Sequence, residues 1–337
     1  MNKKNIAILG AGSWGLTIAQ MLQENGHHIA IWEINERLAA QLSRSRKFKY
    51  IPAINLPNNI SISSNLATVV AKADIAVIVV PSAYVRATAR KLAKVALKRG
   101  LIVVCAAKGL EDRTFKTMSQ VLADELPSQV RKNIAVLSGP NIANEIAARK
   151  PAAAVIASKN QKAAKILQEV FMSRYFRTYT TTDVLGAELG GAVKNIIAIA
   201  CGISDGMGLG SNTKSALITR GIFEMMKLGK YFKAKPETFS GLSGLGDLIT
   251  TCFSPHSRNR RCGEKIAQGK TYEQAMQEIC VVVEGIHTCK AVHHFARKFK
   301  ISMPITEQVY QVLFARKQPQ KAVLDLMTRQ PKHENSL

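Results

Sequence analysis

Residues 10–15 read Gly-Ala-Gly-Ser-Trp-Gly, directly after the apolar run Asn5-Ile-Ala-Ile-Leu and directly before a helix-patterned stretch over 16–25. Glycines at this spacing between a strand and a helix restrict the fold severely. Gly10 permits the tight turn, Gly12 lets backbone approach a pyrophosphate, and Gly15 lets the helix lie close on the strand. The start of the helix, at Ser13 and Trp14, offers N–H groups and the positive end of a dipole to phosphate. A second apolar run, 29–32, ends in Glu33, near the roughly 20-residue spacing at which an acid meets a ribose 2′-hydroxyl. A lone glycine turn would be weak evidence. In this setting it predicts a bound dinucleotide, NAD or NADP, with Glu33 favouring NAD.

The rest of the first half alternates β-branched runs with helical patterns. Strands are expected over 74–80, 101–105, 134–137, 153–157 and 175–181, and helices over 84–97 and 114–126. That alternation specifies an α/β class, a Rossmann-like doubly wound sheet with parallel strands. From about residue 183 the pattern turns helical, over 184–204, 214–228, 259–268, 271–280, 285–299 and 306–315, with a tail at 333–337. A chain of 337 residues exceeds one ordinary core. The expected division is a dinucleotide-binding domain, 1–182, and an all-helical substrate-binding domain, 183–337.

Lys plus Arg outnumber Asp plus Glu by 47 to 23, a net charge of +24. The cations are scattered, with no long basic block and no RNA-binding motif, so the charge suits a small phosphorylated substrate rather than nucleic acid. None of the six cysteines forms a CxxC pair, which points to free thiols in a reducing compartment. Lys3-Lys4 before an apolar run imitates a signal peptide, but the glycines interrupt that run and no cleavage site follows. No uninterrupted apolar run reaches the roughly 20 residues of a membrane helix. A cytoplasmic protein without an integral membrane segment is expected. The adjacent pairs His27-His28 and His293-His294 lack metal-ligand spacing, so no metal is expected.

Three turns follow predicted strand ends, where open α/β sheets bind ligands. They are Val79-Val-Pro-Ser82, Lys108-Gly-Leu-Glu111 and Ser138-Gly139-Pro-Asn141-Ile-Ala143. Each alone could be an ordinary turn; three together argue for a built site. In the helical half, Lys194 stands inside Leu189-Gly-Gly-Ala-Val-Lys-Asn-Ile-Ile-Ala, a nearly apolar helix. A buried ammonium is costly unless paired, and its pKa falls on desolvation. Acid/base chemistry accounts for it better than a lysine snorkelling at the helix edge. Asp247, in Ser243-Gly-Leu-Gly-Asp, is the expected partner, or a helix cap. Ser257-Arg258-Asn259-Arg-Arg261 could clamp an anion at a helix start or form a basic surface. Glu284, after the apolar run 281–283, could meet a cofactor hydroxyl or cap a helix.

Taken in order, Gly10–Gly15, Lys108–Glu111, Ser138–Pro140, Gly190–Asn195, Gly244–Leu248, Ser257–Arg261, Val283–Gly285 and Met303–Glu307 resemble the motifs of bacterial NAD(P)-dependent glycerol-3-phosphate dehydrogenases. The resemblance implies reversible hydride transfer between NAD(P)H and dihydroxyacetone phosphate, giving sn-glycerol 3-phosphate for phospholipid synthesis. It implies Lys194 as catalytic acid/base, with Lys108 and Asp247 binding substrate and Arg258-Asn259 binding its phosphate near Ser257, Gly139 and Asn141. Ser13, Trp14, Ala143, Val282 and Glu284 match cofactor contacts, which Lys108 and Arg258 adjoin. Two positions depart from the family pattern: Asn141 replaces a small hydroxyl residue, and Glu33-Ile-Asn35 stands where NADPH-using members often carry a basic residue or histidine. A ketopantoate or 6-phosphogluconate relative is the alternative dehydrogenase, and a non-catalytic NADH-binding sensor the alternative outside enzymes. The assembly is left open, with a homodimer as the candidate.

Overall fold

The apolar runs become the middle of an eight-stranded sheet in the computed structural model, which describes residues 3–280, 282–331 and 333–334. Val281 in the run before Glu284, and tail residues 335–337, lie outside the described residues. The strands are β1 (Asn5–Leu9), β2 (His28–Trp32), β3 (Lys47–Phe48), β4 (Ile51–Asn55), β5 (Ser61–Ser63), β6 (Ile75–Ile78), β7 (Ile102–Cys105), β8 (Ile134–Ser138), β9 (Ala152–Ala157) and β10 (Phe176–Thr181). Their order across the sheet is β10-β9-β8-β7-β6-β1-β2-β5, with β3 and β4 forming a separate antiparallel pair. β6 and β7 are buried along their whole length, as strands covered on both faces must be, and this explains their unbroken apolar sequence. The fold is the expected α/β class. One pairing differs from an all-parallel sheet: β8 and β9 run antiparallel, joined only by the short helix Ala143–Ala147 and its flanking turns.

Other boundaries shift for local reasons. The first helix begins at Ser13, within the glycine turn itself, rather than at Leu16. The stretch expected to be helical from residue 114 starts only at Met118. Ahead of it Leu110 and Thr117 make an antiparallel bridge, and Phe115 takes a left-handed φ of 57°. The helix expected over 84–97 stops at Ala93, preceded by a 3-10 turn at Ser82–Tyr84. Helices Glu36–Ser45 and Gln161–Phe171 were not anticipated; each is N-capped by an asparagine side chain.

The chain divides into two compact units, Met1–Ala107 with Met118–Val184, and Lys108–Thr117 with Leu185–Leu337. The second unit is organised around the helix Val184–Gly206. By length and composition that helix could cross a membrane, yet 94% of its apolar window is buried, so it serves as the core of the unit. Close crossings make this burial feasible. A Cβ on Gly190 would stand 2.6 Å from the carbonyl oxygen of Ser243, so only glycine admits the neighbouring segment. That segment, Leu242–Gly246, is a π-helical turn running straight into the helix Asp247–Phe253.

A buried carboxylate anchors another helix of this unit. Glu224, in Gly210–Tyr231, accepts hydrogen bonds from Ile305 N (2.5 Å), Thr306 N (3.1 Å) and Thr306 Oγ1 (2.7 Å). These satisfy the first turn of Pro304–Phe314. Burial pushes the Glu224 carboxyl up to about 7 despite those donors.

Candidate active site

β1 lies between β2 and β6, so the chain leaves its carboxyl end where the strand order reverses, the usual ligand crevice of such sheets. Gly10 has a φ of 120° and donates its N–H to Trp32 O at 2.9 Å. A Cβ on Gly15 would fall 2.0 Å from Gly10 O, so no side chain fits there. Gly12 caps the helix Ser13–Glu24 without any side-chain hydrogen bond, and nothing lies within 4 Å of the place its Cβ would occupy. A helix start with open space and no side-chain cap fits a pyrophosphate. Glu33 turns its carboxylate back onto this loop, accepting from Ala11 N at 3.3 Å and from Asn35 N at 2.9 Å. Thr17 Oγ1 bonds Ser13 O at 2.8 Å and reaches Ala143 O at 3.4 Å, which brings Ala143 beside the fingerprint helix. Trp14 is half-buried against the core of this unit.

Gly139 and Asn141 belong to the same unit. Gly139 has a φ of 139° and packs on β9, where a Cβ would meet Ala154 Cα at 3.0 Å. The Asn141 amide donates to Ala153 O at 3.0 Å, so one of its donors holds the turn.

In the second unit, Lys194 sits in the middle of Val184–Gly206 with 6% of its surface exposed. Its ammonium donates to Asp247 Oδ1 and, at 2.7 Å, to Thr251 Oγ1. The other carboxylate oxygen of Asp247 accepts from Lys108 Nζ at 2.5 Å. One carboxylate thus holds two ammonium groups. Thr251 completes the arrangement by donating to Asp247 O, at 2.7 Å, one turn along the same helix. Burial draws the Lys194 pKa down to about 8; Asp247 opposes the fall and Lys108 adds to it. A lysine tuned to that range can give and take a proton near neutral pH.

Beside it, Asn195 begins a second group. Asn259 donates its amide to Asn195 Oδ1 at 2.8 Å, and its own Oδ1 accepts from Gly285 N at 2.9 Å. Ser257 caps the helix Arg258–Ala267 by accepting from Arg260 N at 3.2 Å. Arg260 is occupied elsewhere, by Asp205 at 2.6 Å and Glu264 at 2.8 Å. Arg258 instead reaches Val282 O at 3.5 Å, its pKa lowered by burial and partly restored by Glu284. A half-buried guanidinium at a helix start, with a buried amide next to it, suits an anion such as a phosphate.

The structure therefore gathers Gly10, Gly12, Ser13, Trp14, Gly15, Glu33 and Ala143 in one unit, and Lys108, Lys194, Asp247, Ser257, Arg258, Asn259, Val282 and Glu284 in the other. Thr251 and Asn195 join the second group although the sequence did not single them out. Their signals were present: Thr251 lies one helical turn beyond Asp247, and Asn195 adjoins Lys194. Among the described residues no cluster of His, Cys, Asp or Glu could hold a metal.

The model of the NAD-dependent glycerol-3-phosphate dehydrogenase N-terminus matches residues 5–164, and that of the C-terminus residues 183–324. A glycerol-3-phosphate dehydrogenase [NAD(P)+] of Agathobacter rectalis is 44% identical over 98% of this chain and 98% of its own length. Its counterpart from Thermoanaerobacter sp. is 46% identical, again over 98% of each chain. The crystal structure of glycerol-3-phosphate dehydrogenase from Coxiella burnetii superposes with a TM-score of 0.92 and 38% identity, covering 97% of this chain and 99% of the other.

Proposed function

The chain belongs to the NAD-dependent glycerol-3-phosphate dehydrogenase family, and from that premise we propose that Lys194 is the proton donor as it reduces dihydroxyacetone phosphate to sn-glycerol 3-phosphate. The observation that carries this assignment is the buried Lys194, held by Asp247 and Thr251 with its pKa lowered to about 8. Bound NAD(P)H supplies the hydride. Lys194 Nζ gives a proton to the alkoxide developing at C2, and takes it back in the oxidative direction. Asp247 and Thr251 aim that ammonium, and Lys108 adds positive charge beside it. Arg258, with Asn259 and Ser257, binds the phosphate; Gly139 and Asn141 are assigned to the substrate on the family resemblance alone.

Gly10, Gly12, Ser13, Trp14 and Gly15 would hold the pyrophosphate side of the cofactor, and Glu33 its adenosine ribose, favouring NAD. Ala143, Val282, Glu284, Lys108 and Arg258 would supply further contacts. In this reading residues 1–182 hold most of the dinucleotide contacts and 183–337 most of the substrate contacts, in a cytoplasmic protein, with a homodimer as the candidate assembly, that feeds phospholipid synthesis. Oxidation of NADH and of NADPH by the purified protein, with and without dihydroxyacetone phosphate, tests it. Turnover that requires this substrate is expected. A protein that binds NADH without turnover would be a sensor, and reduction of ketopantoate instead would assign it to the other dehydrogenase class.

A further inference from the structure

Two helices of the second unit, Gly210–Tyr231 and Glu284–Lys298, finish in the same way. Each is followed by an aromatic C-cap, Phe232 or Phe299, and then by a lysine in left-handed conformation, Lys233 (φ 57°) or Lys300 (φ 54°). The two ends are fastened together by their rings. Tyr231 lies 4.6 Å from Phe299 and 5.0 Å from Phe295, and Phe232 stacks on Phe295 at 5.0 Å. Tyr231 and Phe299 remain 47% and 37% exposed. The cations around them, Lys230, Lys233, Arg297, Lys298 and Lys300, all point outward, and Lys298 lies over the Phe299 ring at 5.4 Å. Two acids on adjoining segments are Glu237, exposed on Pro236–Ser240, and Asp112, which pairs with Lys290 at 3.6 Å.

We propose that this face docks the protein reversibly on a bilayer rich in anionic phospholipid. Exposed aromatic rings ringed by lysine and arginine match the acyl boundary and the charged headgroups of such a surface, and the chain's net charge of +24 adds long-range attraction. Nucleic acid is a poorer match. The Tyr231 and Phe299 rings engage each other and Phe295, so they present no free stacking platform for bases. None of these residues belongs to the Lys194–Asp247 group, so docking and turnover are separable.

Sedimentation with phosphatidylcholine vesicles, with and without an equal part of phosphatidylglycerol, tests the proposal. Binding to the mixed vesicles only, weakening with salt, is expected. K298E/K300E should weaken it at least about 25-fold, since each cation near an anionic leaflet is worth roughly 5-fold. K162E/K165E makes the same charge change on the exposed side of Gln161–Phe171 and should cost far less. Y231S/F299S should weaken binding with no change of charge. Thermal melting and dihydroxyacetone phosphate turnover establish that each variant is folded. If K298E/K300E melts early, K298Q/K300G removes the same charges and relieves the left-handed backbone at residue 300. Equal loss in both charge-reversal pairs, undiminished binding in K298E/K300E, full binding by Y231S/F299S, equal binding to phosphatidylcholine alone, or preference for single-stranded DNA at the same ionic strength would overturn it.

Discussion

Lys194 and Asp247 form an ion pair whose side chains are only 8% and 2% exposed, in a chain carrying 47 basic residues against 23 acidic ones. Any surface cation could offset a charge at less desolvation cost. Withdrawing this pair from water instead sets the proton affinity of Lys194. Burial alone favours the neutral amine, while the carboxylate beside it keeps the ammonium populated up to about pH 8. The cost of burial is tolerated because each member satisfies the other and Thr251 and Lys108 take up further hydrogen bonds.

Replacing Lys194 with alanine should reduce kcat by on the order of 10²–10⁴-fold, the usual worth of a general acid. The native enzyme should also show the titration. With Lys194 as the proposed acid, reduction needs it protonated, so kcat/KM should decline as pH rises through about 8, whereas oxidation of glycerol 3-phosphate should rise over the same range. A Lys194→Ala protein with normal turnover would exclude the assignment.

Asp247→Asn separates positioning from mere packing. Without the carboxylate, the opposing influence on Lys194 disappears while burial and Lys108 remain, so its pKa falls further. The alkaline limb of the reductive profile should move to lower pH, with kcat reduced. A variant that loses only folded protein, with an unmoved pH profile, would make Asp247 a structural residue.

How far this site could be read from the sequence depended on the kind of signal. Lys194 was legible because a charge in an apolar helix has few inert explanations. Gly10, Gly12 and Gly15 were legible because glycine spacing encodes backbone geometry directly. Lys108 was legible only as a residue past a strand end. The grouping of residues 108–117 with the helical unit arises from contacts distant in sequence, such as Lys108 with Asp247 and Phe115 with Phe295. The same holds for the π-helical turn before Asp247, which lies against Gly190, far away in sequence. The antiparallel β8–β9 pair was likewise hidden, because apolar runs report burial and not direction.

Arg258→Ala should chiefly raise KM for dihydroxyacetone phosphate, because the lost contact is remote from the reacting carbon. One charge-assisted hydrogen bond contributes about 1.5–3 kcal/mol, or roughly 10- to 150-fold. Arg260→Ala gives the contrast: it should lower the melting temperature, since Arg260 is bound to Asp205 and Glu264. Steady-state kinetics on both variants, with unchanged KM in Arg258→Ala, would move the phosphate clamp elsewhere.

Glu224 carries a pH-dependent share of stability. Its folded pKa of about 7 exceeds the 4.5 of an ordinary glutamate, so the native state binds the extra proton between those limits. Its contribution is fully present below about pH 4.5 and is lost as pH rises through about 7. Glu224→Gln cannot titrate. Melting curves of the variant should therefore lack the part of the pH 5–7 slope that the native protein shows, and identical slopes would exclude this group as the source.

The proposed preference for NADH rests on Glu33. Its carboxylate already faces the glycine loop through Ala11 N, at the end of β2, where it can accept from a ribose 2′-hydroxyl and repel a 2′-phosphate. The basic residues that follow divide. Arg46 is committed to Ile60 O at 2.6 Å, leaving Arg37 and Arg44 exposed on Glu36–Ser45. NADH should therefore exceed NADPH in kcat/KM by about 10-fold or more, the worth of one charge-assisted hydrogen bond. Glu33→Ser should narrow the gap from both sides, weakening NADH and relieving NADPH. A native preference for NADPH would show instead that Arg37 or Arg44 folds onto the 2′-phosphate and outweighs the carboxylate.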